Sequence, residues 1–284
     1  MPWSPLTAQN SGSAIFNDFV REALEIIQAA DKNGIPLRLI GALGIYHHCT
    51  TSNHLYERIE RIPTDIDLIG YSKHSRKLID LMKSLGYTPS AERLMVLYGN
   101  QRQMYQSAST GRQIDVFFDK LEMCHTVNLK GRLELDSPTI TLADFLLEKM
   151  QIVEINEKDI KDTIIMLREH DLGGADRDKI DIDYISKLLS SDWGFYYTVT
   201  TNLKKILQFL PAYDALGQKD RETVSQRVNR ILGKIENEPK SLSWKIRERQ
   251  GTKKKWYRDV EVQRGAWKME DGQWIQETTH EAKG

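Results

Sequence analysis

The chain has 284 residues, 40% of them apolar, and its 40 Lys plus Arg are balanced by 40 Asp plus Glu. That length and apolar content suit one large or two ordinary globular domains, and zero net charge removes any global argument for a nucleic-acid or membrane-surface partner, so electrostatic arguments must be local. Two cysteines, Cys49 and Cys124, give neither a disulfide framework nor a zinc-ligand spacing, and MPWSPLTAQNSGS lacks a leader pattern, which predicts a reducing, cytoplasmic setting. No apolar run approaches the roughly 18 residues that span a bilayer.

Residues 1–13 read as a polar lead-in. From Ala14 the apolar positions Ile15, Phe16, Phe19, Val20, Ala23, Leu24, Ile26, Ile27 and Ala30 follow helical spacing, with Ser13 as N-cap and Gly34 as the stop. Leu37-Arg-Leu-Ile-Gly41 reads as a buried strand, and a short helix over Ala42–His48 opens directly behind it. A glycine at such a junction lets a ligand approach the backbone where first-turn N–H groups favour anions; it also serves plain strand–helix packing. Residues 50–63 read as a polar loop. Ser72 is expected to cap a helix over about 73–85 that Gly86 ends.

The stretch between loop and helix, Arg61-Ile-Pro-Thr-Asp-Ile-Asp-Leu-Ile-Gly70, carries two carboxylates on an apolar strand. In an extended chain Asp65 and Asp67 face the same way at roughly 6–7 Å, so their charges repel. A hard divalent cation removes that repulsion, because Mg²⁺ takes carboxylate and phosphate oxygens. Further strands are expected at Leu94–Tyr98, Gln103–Tyr105 and Gln113–Asp119, the last placing a third carboxylate, Asp115, where carboxylates are costly. Thr126–Leu129 and Arg132–Leu135 suggest a hairpin around Lys130-Gly131.

After Pro138 the pattern is helical. Thr141 caps one segment and Asn156 another that Gly173-Gly174 ends, and further helices are expected at about 181–190, 194–210 and 219–236. Lys158 and Asp162, four apart, read as a surface pair. Adjacent His47 and His48 point about 100° apart on a helix and cannot share one ion. The final segment, 241–284, holds four of the six tryptophans and a basic run from Lys245 to Arg258 that includes Trp256 and Tyr257. It reads either as a cationic, aromatic surface that could take RNA or as a packed β-hairpin turning at Asp271-Gly272.

Gly41-Ala-Leu-Gly44, Arg61-x-x-Thr-Asp-Ile-Asp-Leu68 and Ile114-Asp-Val-Phe-Phe118 together resemble the signature of the DNA polymerase β-like nucleotidyltransferase superfamily. Leu147-Glu-Lys-Met-Gln151 and Glu157-Lys-Asp-Ile-Lys-Asp162 are similar to helices of abortive-infection-type toxins of toxin–antitoxin systems and of minimal or antibiotic-modifying nucleotidyltransferases. The resemblance covers roughly 37–165. It implies Mg²⁺ or Mn²⁺ held by Asp65, Asp67 and Asp115, with Asp115 alternatively a base. Gly41, Ala42, Arg61, Thr64 and Lys149 would lie toward the triphosphate.

The expected architecture is α+β: a mixed-sheet nucleotidyltransferase domain over 1–138, a helical domain over 139–240 and a basic, Trp-rich segment over 241–284. The expected activity is transfer of a nucleoside monophosphate from an NTP, ATP among them, to an RNA, protein or small-molecule acceptor. The alternative, supported by Ala42 in the turn, is a nucleotide-binding or protein-interaction module on the same fold without turnover.

Overall fold

The computed structural model describes residues 12–89, 101–174, 178–260, 267–270 and 273–276. The chain is a mixed α+β protein that divides into two compact units, Met1–Asp119 with Lys130–Ile140, and Lys120–Leu129 with Thr141–Gly284. No helix among the described residues is long and apolar enough to cross a membrane.

The first unit is built on a five-stranded sheet of β1 (Leu37–Leu39), β2 (Ile66–Gly70), β3 (Tyr87–Pro89), β4 (Arg102–Ser107) and β5 (Gln113–Phe118), in the order β1-β2-β5-β4-β3. Only β2 and β5 run parallel; the other pairs are antiparallel. Leu37, Leu39, Ile66, Leu68, Ile114 and Val116 are fully buried, as expected of short apolar strands in a covered sheet. The helix α1 (Gly12–Lys32) buries Phe16, Phe19, Val20, Ala23, Ile26, Ile27 and Ala30 of the stripe read from the sequence and leaves Ile15 and Leu24 half-buried at its margins.

Several local expectations are corrected. The helix α1 begins at Gly12, so Ser13 lies inside it, and its backbone N–H donates to Glu57 Oε1 at 3.0 Å rather than Ser13 capping the helix. The supposed loop 50–63 contains α3 (Asn53–Arg58), which follows α2 (Gly41–His48). Its Leu55 and Tyr56 are buried, and the Tyr56 ring meets Phe16 edge-on at 4.7 Å and Tyr46 at 5.1 Å, so tertiary burial holds a six-residue helix that has no side-chain cap. Ser72 does not cap the next helix either. It opens a 3₁₀ turn, Ser72–His74, ahead of α4 (Ser75–Ser84), and its hydroxyl donates to Asp119 Oδ2 at 2.6 Å. The expected strand Leu94–Tyr98 lies outside the described residues.

The expected hairpin around Lys130-Gly131 does not form. Thr126–Asn128 (β7) pairs instead with Lys120–Glu122 (β6) in the second unit. The other half is claimed by the first unit: buried Arg38 donates through Nε to the Leu133 and Asp136 carbonyls at 2.7 and 2.8 Å, and Gly131 N–H donates to Tyr71 Oη at 3.1 Å. Carbonyls gathered on one guanidinium have no ladder to join.

The rest of the second unit is mainly helical: α5 (Leu142–Met150), α6 (Glu157–Glu169), α7 (Ile182–Leu189), α8 (Trp193–Phe209), α9 (Gln218–Asn237) and α10 (Leu242–Gln250). Thr141, Asn156, Asp181, Asp192 and Ser241 each accept an N–H of the following first turn, which accounts for five sharp starts. The second of these helices ends at Glu169, not at Gly173-Gly174, because Asp171–Gly173 pairs in parallel with Lys179–Asp181. Asp162 is fully buried and pairs with Lys149 at 3.0 Å, so it is not half of a surface pair with Lys158. Segment 241–284 begins as α10 with Trp244 buried, and Trp267–Glu270 and Gln273–Gln276 form the antiparallel pair expected near its end. The turn at Asp271-Gly272 lies outside the described residues.

Residues 251–258 cross this unit as a strap. Arg258 N–H donates to the Cys124 carbonyl at 3.0 Å, and Trp256 Nε1 donates to Thr198 Oγ1 at 3.1 Å. Beneath the strap His125 stacks on Phe195 at 4.8 Å, with Nε2 2.8 Å from the same hydroxyl. Burial lowers the His125 pKa from its ordinary 6.5 to about 4, with Asp192 opposing and Arg258 assisting. As pH falls from 6.5 toward 4, the unfolded chain takes this proton first, so stability present above 6.5 is lost. The loss should reach about 3 kcal/mol by this group alone. Urea unfolding at neutral pH and near pH 4.5 should show it, and His125→Gln should flatten that part of the pH dependence; an unchanged dependence would refute the assignment.

Candidate metal centre

The parallel pairing of β2 with β5 sets Asp67 opposite Asp115. Adjacent strands lie about 4.8 Å apart and paired residues share a face, so the two carboxylates stand side by side while Ile66, Leu68, Ile114 and Val116 fill the core behind them. Asp65 stands one residue before β2 rather than on it, which slightly corrects the two-on-a-strand reading. The spacing still works: Asp65, Asp67 and Asp115 each offer a carboxylate oxygen within 4.8 Å of the others. Asp115 is 2% exposed, and the other two are half-buried.

Two residues not singled out in the sequence hold Asp115. Arg102 on β4 donates through Nη2 to Asp115 Oδ2 at 2.5 Å, its guanidinium lying 4.9 Å over the Phe117 ring, and Gln113 Nε2 reaches the same oxygen at 3.2 Å. A charge-assisted pair of this kind fixes the buried carboxylate. Three carboxylates that each offer an oxygen within 4.8 Å of the others are hard donors of the kind that fits a divalent cation.

Gly41 closes the other side. Its φ is +68°, and a Cβ there would come 3.1 Å from Asp67 Oδ2. Ile40 N–H donates to the Asp67 carbonyl at 3.0 Å, so strand pairing continues to the point where α2 begins. The helix has no side-chain cap, and its first turn, including half-buried Ala42, directs the positive end of its dipole to this end of the sheet. Gly41→Ala should therefore cost about 1–2 kcal/mol from the left-handed backbone alone. It should also push Asp67 aside, and an unchanged melting temperature with unchanged metal response would show that the close approach is immaterial.

The remaining predicted residues divide. Exposed Thr64 donates through Oγ1 to Asp65 Oδ1 at 2.9 Å and so supports the cluster. Arg61 is buried and donates through Nη1 to the Ile62 carbonyl at 2.6 Å. Lys149 belongs to the second unit, where Nζ lies 2.9 Å from Asp159 and 3.0 Å from Asp162. That ammonium is engaged by two carboxylates. His47 and His48 sit on α2, where His48 Nε2 lies 2.6 Å from Thr139 Oγ1 and 3.6 Å from Asp136 Oδ2. The signal that could have found Arg102 is its alternation with Met104 on a strand beside Asp115; using it requires knowing the strand order.

No protein-family model matches the chain, and a search of curated proteins finds no match.

Proposed function

We propose that the chain is a metal-dependent nucleotidyltransferase, and the observation that carries this reading is the Asp65, Asp67 and Asp115 cluster beside Gly41. A glycine turn into a helix, an Asp-x-Asp segment and a third Asp on the parallel neighbouring strand support the DNA polymerase β-like arrangement. Asp65, Asp67 and Asp115 would hold Mg²⁺ or Mn²⁺, which when bound supplies charge neutralisation for phosphate oxygens and for the attacking and leaving oxygens. The first turn of α2 suits an anionic phosphate by its dipole and by the missing Cβ at Gly41. In the reaction an acceptor hydroxyl oxygen bonds to the α-phosphorus of an NTP, and the bond from that phosphorus to the β-phosphate bridging oxygen breaks. Pyrophosphate leaves, and the hydroxyl proton passes to a carboxylate oxygen or to water. Arg102 and Gln113 keep Asp115 aimed throughout.

The same Arg102 contact favours a second reading, a nucleotide- or protein-binding module without turnover, because Asp115 already has a cation. One experiment separates the two. The chain is incubated with α-labelled NTPs, Mg²⁺ or Mn²⁺ and pools of RNA, protein and small acceptors. Label in one pool that Asp67→Ala abolishes supports transfer. Nucleotide retained without any label supports the module, and equal labelling by Asp67→Ala overturns the assigned centre.

A further inference from the structure

Within the second unit, residues 123–126 and the strap enclose a concavity of about 370 Å³ lined by His125, Asp192, Arg247, Lys255, Tyr257 and Arg258 among others. Its two arginines are held in an unusual way. Arg247 donates through Nη1 to the Gly251 carbonyl at 2.8 Å and through Nη2 to the Lys254 carbonyl at 2.6 Å. Arg258 donates through Nε to the Met123 carbonyl at 3.1 Å and through Nη2 to the His125 carbonyl and to Thr126 Oγ1 at 2.8 Å. Carbonyls fix both guanidinium planes without neutralising them, and no carboxylate among the described residues pairs with either. Of the other charges lining the concavity, Lys255 is paired with Asp259, and Asp192 has Oδ1 occupied by the Phe195 N–H at 3.0 Å.

Two pre-positioned, uncompensated guanidiniums with N–H groups to spare are a phosphate site, because the planar fork matches phosphate oxygens. The cations do not stop at the concavity. Lys253 and Lys254, next in sequence to Lys255 of the lining, are exposed, and neither has an ion pair among the described residues. A lone phosphate would leave those two idle, whereas a chain of phosphates would engage them. Half-buried Tyr257 lines the same concavity with an aromatic ring that is edge-on to Trp256 at 5.1 Å and has the Lys255 ammonium 5.1 Å from its centroid. Trp256 is held more fully, since its indole also packs edge-on against Trp193 at 6.5 Å and Tyr197 at 5.2 Å and its N–H is taken by Thr198.

We infer that this face of the second unit binds a single-stranded nucleic acid, with a phosphodiester seated between Arg247 and Arg258, a base near Tyr257 and neighbouring phosphates on the exposed lysines. A single strand is specified because a base within a duplex cannot reach an aromatic ring in a concavity. The inference does not depend on the carboxylate centre.

The test is fluorescence anisotropy of the full chain with a labelled single-stranded RNA of about 20 nucleotides, titrated at low and physiological salt. Binding should weaken steeply with salt. Lys253→Glu/Lys254→Glu, which removes no packed contact, should weaken binding more than 10-fold and flatten the salt slope by about one or more. Arg258→Lys keeps the charge but loses the fork and its contacts to residues 123–126, so it should melt lower than wild type and, measured below that transition, should still weaken binding. Asp65→Ala/Asp67→Ala should bind as wild type does, so failure of the metal-centre reading leaves this result intact. The inference is overturned by absent binding at low salt, by wild-type affinity in the lysine variant, by equal binding of duplex, or by complete displacement with millimolar ATP or inorganic phosphate, which would mark a free-phosphate site.

Discussion

Asp67→Asn is expected to lower the proposed nucleotidyl transfer by about 10²–10³-fold, while making the metal-free protein slightly more stable. The two effects have one cause. Asp67 stands between the others: it is in register with Asp115 on the parallel neighbour, two residues from Asp65 and 3.1 Å from where a Gly41 Cβ would be. Without a cation, three carboxylates with oxygens within 4.8 Å of one another repel, and Arg102 is engaged by Asp115. Neutralising the central one relieves that repulsion and removes a ligand, and a lost electrostatic contact at a reacting centre typically costs 10²–10³-fold. In chelator the variant should melt at or above the wild-type temperature. At Mg²⁺ concentrations about 100 times Kd, wild type should gain about 2.7 kcal/mol by mass action and the variant little. A cation-induced rise of equal size in both proteins would place metal binding elsewhere.

Lys149→Met should be the most destabilising single substitution away from the apolar core. The lysine is 7% exposed, and its Nζ lies within 3.0 Å of both Asp159 and fully buried Asp162. Removing the cation leaves the fully buried Asp162 carboxylate facing that of half-buried Asp159, and breaking a buried pair in this way costs about 3–5 kcal/mol. Asp162→Asn alone should cost less, because Lys149 keeps Asp159. Adding Asp162→Asn to Lys149→Met should recover part of the loss, since the two sites share one network. Urea unfolding of the three variants measures this; additive losses would mean that the cluster does not act as a unit.

The carboxylate triad was legible in the sequence because its signal is local: a carboxylate in an apolar, alternating stretch is costly wherever the strand lies, and Asp65, Asp67 and Asp115 all sit in such stretches. Helix starts at Thr141 and Asn156 were legible for the same reason, the cap being written three residues from its partner. What was hidden depends on distant segments. Arg102 reaches Asp115 only once β4 is known to lie beside β5. Lys149 looked like a residue for phosphate because Asp159 and Asp162 belong to the next helix. The helix Leu242–Gln250 hides behind a Trp-rich basic composition that suggests a hairpin segment or a nucleic-acid surface, although Ser241 stands three residues before Trp244, as a cap should. Residues 132–135 look like strand from their alternation and are drawn away by Arg38, a buried cation on β1.

The placement of residues 120–129 bears on how such a chain can be inherited. Ten residues from the middle of the first unit's sequence fold with the second, contributing buried Leu121, Val127 and Leu129, the His125 ring on Phe195 and the carbonyls that hold Arg258. A genetic crossover near residue 140 would deliver a second unit with no seat for its strap and a first unit with an unpartnered apolar ribbon looped out of its middle. The two units can therefore diverge in sequence, but neither can be exchanged between proteins as a single uninterrupted segment.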